Sequence, residues 1–277
     1  MKKPGKKTNT PLDERMKEYE RVTTSRSLIH GIPVYARIDG RSFHTFCDPL
    51  DKPFDDAFVS TMQKTCAYLV EKTNAIVGYV QSDEISLGWI EPSKAPFETR
   101  LFKLESVLAG MATSAFTLFG LETKLSDRIR KLMPHFDCRV CQMPNLEELA
   151  NMFLWREEDC LKNSINMVAL SKFSHKQLDG KNSIDKVNML AERGLYYYED
   201  IPEHLRTGSY FRRETYFKEL SDEEVQRIPE KQRKFNESGK IVAIRTHVVQ
   251  FQPKYPLNDT ENKSGVLFNH EESEYRI

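Results

Sequence analysis

The chain has 277 residues, with 41 Lys and Arg against 41 Asp and Glu, 39% apolar and 30% charged residues, and 12 glycines. This is globular composition, neither disordered nor collagenous, and its balanced charge excludes a protein that holds nucleic acid by bulk positive charge, so any RNA or DNA site is a local patch. No stretch approaches the roughly 18 consecutive apolar residues of a membrane span, and no apolar run follows the lysines at the amino terminus as a secretion signal requires.

Residues 1–10 are basic and turn-rich and are expected to form a flexible arm. LDERMKEYERVT at 12–23 has helical spacing, with Leu12, Met16, Tyr19 and Val22 on one side. A short β-prone run at 34–38 stops at Asp39-Gly40. Phe54-Asp55-Asp56 then supplies an N-cap, and Phe58, Met62, Cys66, Leu69 and Val70 recur at helical intervals to a helix end near Lys72. The runs at 75–80 and 85–90 are β-prone and are joined by Gln81-Ser82-Asp83-Glu84, a polar link of hairpin length. From about 98 to 119, Leu101, Leu104, Leu108, Met111, Ala115 and Leu118 form a long amphipathic stripe closed by Gly120. HFDCRVCQ at 135–142 reads as a strand stopped by Pro144.

The five cysteines, Cys47, Cys66, Cys138, Cys141 and Cys160, are odd in number, which points to a reducing compartment: the cytoplasm, or an organelle in a eukaryote. Cys138 and Cys141 form a CxxC, but no second pair or ligand-spaced histidine follows, and the alternation around them favours two strand cysteines over zinc.

The order β-α-β-β-α-β is the split pattern of an α+β, ferredoxin-like fold. Its third strand lies antiparallel beside the first, which brings Asp39 and Asp83 face to face at one sheet edge. Two such carboxylates repel unless a cation neutralises them, and a hard divalent metal is the simplest one. Beyond Pro144, Asn145 caps a helix on which Arg156, Asp159, Asn163 and Asn166 share a face, readable either as a solvated surface or as a functional one. Residues 172–240 are rich in Lys, Arg and Tyr and read as a smaller helical and irregular region; from 251 on, an irregular tail is expected. The expected organisation is an arm (1–10), a palm-like catalytic domain (11–145), and a helical and irregular region packed on it (146–277).

The run RIDGRSFHTF at 37–46 resembles the D-G-R-x-F-H-x-F motif of the tRNA(His) guanylyltransferase family, 3′-to-5′ RNA polymerases that add nucleotides to the 5′ end of tRNA. DKPFD at 51–55, GYVQSDEISL at 78–87, RLFKLESVLAG at 100–110, FDCRV at 136–140 and WREEDC at 155–160 match in the same order, and the resemblance covers roughly 15–215. It implies a palm like that of ordinary polymerases, with two Mg²⁺ ions held by Asp39, the Gly40 carbonyl and Asp83. It further implies nucleotide contacts from the main chain of Gly40, Arg41, Ser42, Phe43 and His44, triphosphate contacts from Lys103 and Ser106, and a position near the base for Asp55. Lys52 and Ser82 match positions used around the activation step. Glu84, next to a metal ligand on a strand, is expected on the opposite face as an accessory residue.

The family's reaction activates a tRNA 5′-monophosphate with ATP, after which the 3′-hydroxyl of GTP or another NTP attacks. Where enzymes dedicated to tRNA(His) carry His-Ile-Asn-Asn, this chain has Leu161-Lys162-Asn163-Ser164, which resembles the guanylyltransferase-like group that repairs truncated 5′ ends by Watson–Crick templating. Single-G addition at position −1 of tRNA(His) is the alternative. A non-catalytic RNA-binding module on the same sheet is a third reading, but Ile85-Ser86-Leu87-Gly88-Trp89-Ile90 lacks the aromatic run of such modules; a nucleotide cyclase on a related palm would leave DGRSFH and WREEDC unexplained. The partners implied are tRNA, nucleoside triphosphates and further copies of the chain in a homotetramer, with no membrane. By position and charge, Lys172, Lys186, Arg206, Arg212 and Arg213 are the candidate tRNA contacts.

Overall fold

The runs of β-branched and aromatic residues form strands where the sequence places them, and the stripes between them form helices. In the computed structural model, which describes residues 11–91, 99–236, 238–272 and 274, the order is α1 (Leu12–Thr24), β1 (Val34–Gly40), α2 (Phe43–Cys47), α3 (Asp56–Thr73), β2 (Val77–Gln81), β3 (Glu84–Trp89), α4 (Leu101–Leu121), α5 (Ser126–Leu132) and β4 (Phe136–Gln142). There follow α6 (Leu146–Leu170), α7 (His175–Leu178), α8 (Ser183–Glu192), α9 (Tyr197–Asp200), α10 (Glu203–Arg206), β5 (Ser209–Glu219), α11 (Asp222–Gln226), β6 (Lys234–Phe235), β7 (Ile241–Phe251) and α12 (Lys263–Phe268). The arm expected at 1–10 lies outside the described residues.

The strands form one antiparallel sheet in the order β4-β1-β3-β2-β5-β7-β6, whose first four members have the ferredoxin-like arrangement. Alternation along β1 sends Val34, Ala36 and Ile38 into a core with Met62, Leu69, Leu108 and Phe116 from α3 and α4. Tyr35, on the other face, joins Val77, Tyr79, Leu149 and Phe153 under α6. By length and composition α4 is apolar enough to cross a membrane. Here Leu104, Leu108, Ala112 and Phe116 are buried in the sheet core. The expected helix α1 forms, but among the described residues Leu12, Met16, Tyr19 and Val22 are all exposed.

The carboxyl-terminal region holds the expected helices and also two strands in place of the irregular chain expected there. β5 and β7, 11 residues each, pair antiparallel from Tyr210↔Phe251 to Glu219↔Val242 and extend the palm sheet past β2. In the tail, Leu257, Val266, Leu267 and Phe268 are buried. Glu157 of α6 pins it: one carboxylate oxygen accepts the Leu257 N–H at 2.7 Å and the other the Tyr210 hydroxyl at 2.7 Å.

Burial pushes the Glu157 carboxyl up from 4.5 to about 7. The folded state therefore holds this proton more tightly than the unfolded chain. The corresponding stability is fully present below pH 4.5 and is lost as the pH rises through about 7, a difference of about 3 kcal/mol. We expect Glu157→Gln to remove this dependence, so that its melting temperature gains several degrees on the wild type between pH 4.5 and pH 8. A difference that stays constant across that range would show that Glu157 is already charged in the folded protein at low pH.

Candidate functional site

The β1–β3 register sets Asp39 opposite Glu84, and the Gly40 N–H donates to the Asp83 carbonyl at 3.0 Å. Three acidic residues thus meet at one end of the sheet. Asp39 and Asp83 are half-buried, and Glu84 is buried. Residues directly opposite in an antiparallel pair share a face. Glu84 therefore lies on the Asp39 side, which corrects the expectation that it points away from the site. Its carboxylate accepts from the buried Arg156 Nε at 2.6 Å and lies 3.9 Å from Arg37. Burial pushes Glu84 up while the two guanidiniums pull it down, and a contact this short with Arg156 keeps the pair ionised. Arg156 also donates to Asp159 at 2.8 Å and, with Arg37, lies over the Trp155 ring.

Among the described residues Asp39 and Asp83 form no ion pair. The Asp83 carboxyl is pushed up first by burial and then by the negative charge of Asp39. Two like charges remain uncompensated at the mouth of a pocket, the arrangement a hard divalent cation relieves. No group of three or more His, Cys, Asp or Glu side chains among the described residues could hold a metal. A cation here would take two carboxylates and a backbone carbonyl, leaving positions for water and phosphate oxygens as Mg²⁺ prefers. Cys138 and Cys141 both lie on β4 and are free thiols, three residues apart and therefore on opposite faces.

The pocket has a volume of about 410 Å³ and opens between α3, the loop at 50–55, α6 and the loop before β5; its lining includes Asp39, Lys52, Asp55, Ser82, Asp83 and Glu84. The polar stripe of α6, left open by the sequence, faces it: Arg156, Asp159, Asn163 and Asn166 all line the cavity. Lys52 donates to the Cys47 carbonyl at 2.9 Å, and exposed Ser82 makes the turn with a φ of 47°. Asp55 is committed to structure, accepting from the Phe58 N–H at 3.0 Å as the cap of α3 and pairing with Lys124 at 2.8 Å. It lines the pocket while these contacts hold its carboxylate in place.

The main-chain donors expected at 40–44 are only partly available. The Gly40 N–H goes to Asp83, and the Arg41 N–H donates to the His135 carbonyl at 3.0 Å. The N–H groups of Ser42, Phe43 and His44 have no backbone acceptor among the described residues. The Phe43 ring is core, packed on Phe46, Phe58, Phe116 and Phe136. It passes so close to Gly40 that a Cβ there would lie 2.5 Å from the ring, which is why the Asp is followed by glycine.

Lys103 and Ser106 do not join this pocket. The Phe136 N–H, opposite Gly40, donates to Thr113 Oγ1, and Lys103 lies ten residues, about 15 Å of helix, before Thr113. The amino end of α4 thus sits at the other end of the sheet, where Glu105 accepts from the Val140 N–H. The candidate tRNA contacts are dispersed too. Lys186 donates to Asn166 at 2.9 Å at the pocket edge, Lys172 lines a separate shallow cavity, and Arg206 donates to the Ile201 carbonyl. Arg212 and Arg213 are neighbours on β5 and face opposite sides. Arg212 lies over Phe251 and pairs with Glu214, while Arg213 bonds Asn74 and Thr246, so the two do not form one footprint.

A family model described as tRNA(His) guanylyltransferase matches residues 13–144. The probable tRNA(His) guanylyltransferase of Dictyostelium discoideum is 27% identical over 66% of this chain and 75% of its own length. A bacterial tRNA(His) guanylyltransferase-like protein solved in complex with ATP is 36% identical, with a TM-score of 0.66 over 74% of this chain and 87% of that one. A further structure of such a bacterial protein in complex with GTP is 34% identical, with a TM-score of 0.60 over 74% and 86%.

Removing one charge of the pair separates its two consequences. Asp39→Asn or Asp83→Asn should leave the metal-free protein as stable as the wild type or more stable by about 0.5–1 kcal/mol, because like charges no longer face each other. The rise in melting temperature that Mg²⁺ gives the wild type should be lost in both variants. Thermal melts with and without Mg²⁺ read both effects. Undiminished Mg²⁺ stabilisation in either variant would place the cation elsewhere.

Proposed function

As a member of the tRNA(His) guanylyltransferase family, this chain is a nucleotidyltransferase, and we propose that it extends the 5′ ends of truncated tRNAs in the 3′-to-5′ direction by copying the opposite strand. The observation that carries the substrate assignment is Leu161. It stands where enzymes dedicated to tRNA(His) have a histidine, and it packs against the apolar cluster of Ile165, Val168 and Leu190 between α6 and α8. An aliphatic side chain there offers no imidazole for reading a particular tRNA. With no dedicated contact, selectivity falls to base-pair geometry between the incoming nucleotide and the 3′ half of the acceptor stem. The names of the curated relatives support the second reading, addition of a single G to tRNA(His).

The chemistry takes two exchanges. In activation, an oxygen of the RNA 5′-phosphate bonds to the α-phosphorus of ATP and the bond to the β-phosphate breaks, so pyrophosphate leaves with its electron pair. In addition, the 3′-hydroxyl oxygen of the incoming NTP bonds to the RNA 5′-phosphorus, its proton passes to solvent, and AMP departs. Asp39, the Gly40 carbonyl and Asp83 would hold Mg²⁺, two ions per site, which neutralise phosphate charge and lower the cost of forming the attacking oxygen. The protein's own part is positioning. Lys52 and Ser82, on the pocket rim, lie where triphosphate oxygens would approach the carboxylates. The Arg156–Glu84 pair braces α6 against the sheet, so Asp159 and Asn163 present a fixed polar wall. Lys186, tethered through Asn166, is the candidate tRNA contact nearest this wall. The exposed apolar side of α1 would be covered in the homotetramer that the family resemblance implies.

The test is nucleotide addition to a 5′-truncated tRNA other than tRNA(His), with each of the four bases placed in turn at the templating position. We expect the complementary nucleotide to be preferred at every position. Preference for G whatever the template, or activity confined to tRNA(His), would return the chain to single-G addition.

A further inference from the structure

Four amide side chains line the pocket, and three are engaged: Gln63 donates to Ser209 at 3.0 Å, Asn163 to Asp159 at 3.2 Å, and Asn166 accepts from Lys186 at 2.9 Å. Gln81 is the exception. It ends β2 on the face of Tyr79, opposite Glu84, and is only 7% exposed. Yet neither its amide oxygen nor its nitrogen has a hydrogen-bond partner among the described residues. No buried side-chain N or O atom fully cut off from solvent lacks a partner, so both atoms of this amide reach open space, and the space they adjoin is the pocket. An amide held in place by its burial, with both polar atoms facing a cavity and no protein partner, has its donor and its acceptor free for a ligand.

We propose that Gln81 reads the adenine edge of the activating nucleotide and makes the first exchange prefer ATP over GTP. This rests on the two-exchange reading given above. A side-chain amide offers one donor and one acceptor side by side, the complement of adenine's ring nitrogen and exocyclic amine. Guanine presents two acceptors, N7 and O6, on the corresponding edge, so the Gln81 oxygen would face another oxygen. The apolar part of the lining, from Pro53, Phe58, Val59, Met62 and Leu205, suits the faces of a flat base, while Asp39 and Asp83 lie at the triphosphate end. The assignment falls on the activating nucleotide for a physical reason. A templated incoming base is selected by its Watson–Crick pairing with the tRNA, so the protein has no need to tell adenine from guanine there. The activating nucleotide has no template, so only the protein can recognise it.

The experiment compares kcat/KM for ATP and GTP in forming the 5′-nucleotidylated RNA from 5′-monophosphorylated truncated tRNA, for the wild type, Gln81→Met and Gln81→Lys. The wild type should prefer ATP about 10- to 100-fold, the range of a bidentate amide–adenine contact. Gln81→Met, similar in size but without the amide, should bring the ratio to within about threefold of unity. Gln81→Lys, a donor without an acceptor, should shift it toward GTP. Because each ratio is measured within one variant, a general loss of activity does not imitate the effect, and if one variant fails to fold the other still decides. An unchanged ratio in the folded variants, or lost discrimination only against 2′-deoxy-ATP, which would place Gln81 on the ribose, overturns the proposal. Wild-type protein given ready-made 5′-adenylylated RNA and NTP reports on the underlying reading separately. If it does not extend that RNA, the two-exchange reading fails; if it does while the ratio is insensitive to Gln81, the base-reading assignment alone fails.

Discussion

Everything at the site depends on one register. Pairing β1 with β3 so that Asp39 stands opposite Glu84, with Asp83 bonded back to Gly40, fixes three acids at one sheet end. Such a concentration of negative charge is tolerated only because it is divided. Glu84 is taken by Arg156 and Arg37, which leaves two half-buried carboxylates open to the pocket. Had Arg156 been free to swing toward Asp39, the pair would have been neutralised from within. The Glu84 contact, the Asp159 contact and the Trp155 ring together hold the guanidinium in place.

The glycine after Asp39 is part of the same constraint. The chain must turn at once so that the Phe43 ring can fall onto the Gly40 backbone and enter the aromatic cluster with Phe116 and Phe136. A motif that reads as nucleotide-binding is therefore in good measure a packing device. Its aromatic residue anchors the turn, and two of its N–H groups complete sheet bonds. The remaining donors, at Ser42, Phe43 and His44, are what the turn can still offer to a ligand.

The strands of the palm were legible because they are short runs of β-prone residues, fully buried in β2 and β3 and alternating in β4, and the meeting of Asp39 with Asp83 followed from strand order alone. What escaped the sequence did so for identifiable reasons. Only the first three residues of β5, at Ser209, Tyr210 and Phe211, are buried, and both faces of its outer part meet solvent. No period of two survives there to mark a strand. The stripe at Arg156, Asp159, Asn163 and Asn166 was visible as a pattern, but pattern does not tell a solvated face from one that closes a cavity. Gln81 carried no signal at all, since an amide before a turn is ordinary until its missing partner is seen. Lys103 and Ser106 were placed by resemblance, and the direction of α4 along the sheet moves them away from the carboxylates.

Helix α6 joins what the chain order separates. Its first turns carry Leu149 and Phe153 into the core beneath the sheet; its middle turns supply Arg156 to the acidic cluster and Glu157 to the tail; its last turns, from Ile165 to Ala169, build the cluster with α8. Arg156 and Glu157 are neighbours, so the bond that seats the tail at Leu257 and the bond that braces Glu84 come from the same turn of helix. A shift of that turn would move the partner of Glu84 and the polar wall of the pocket together. The carboxyl-terminal segment, far from the carboxylates in sequence, is thereby one of the supports that hold the acidic end of the sheet in register.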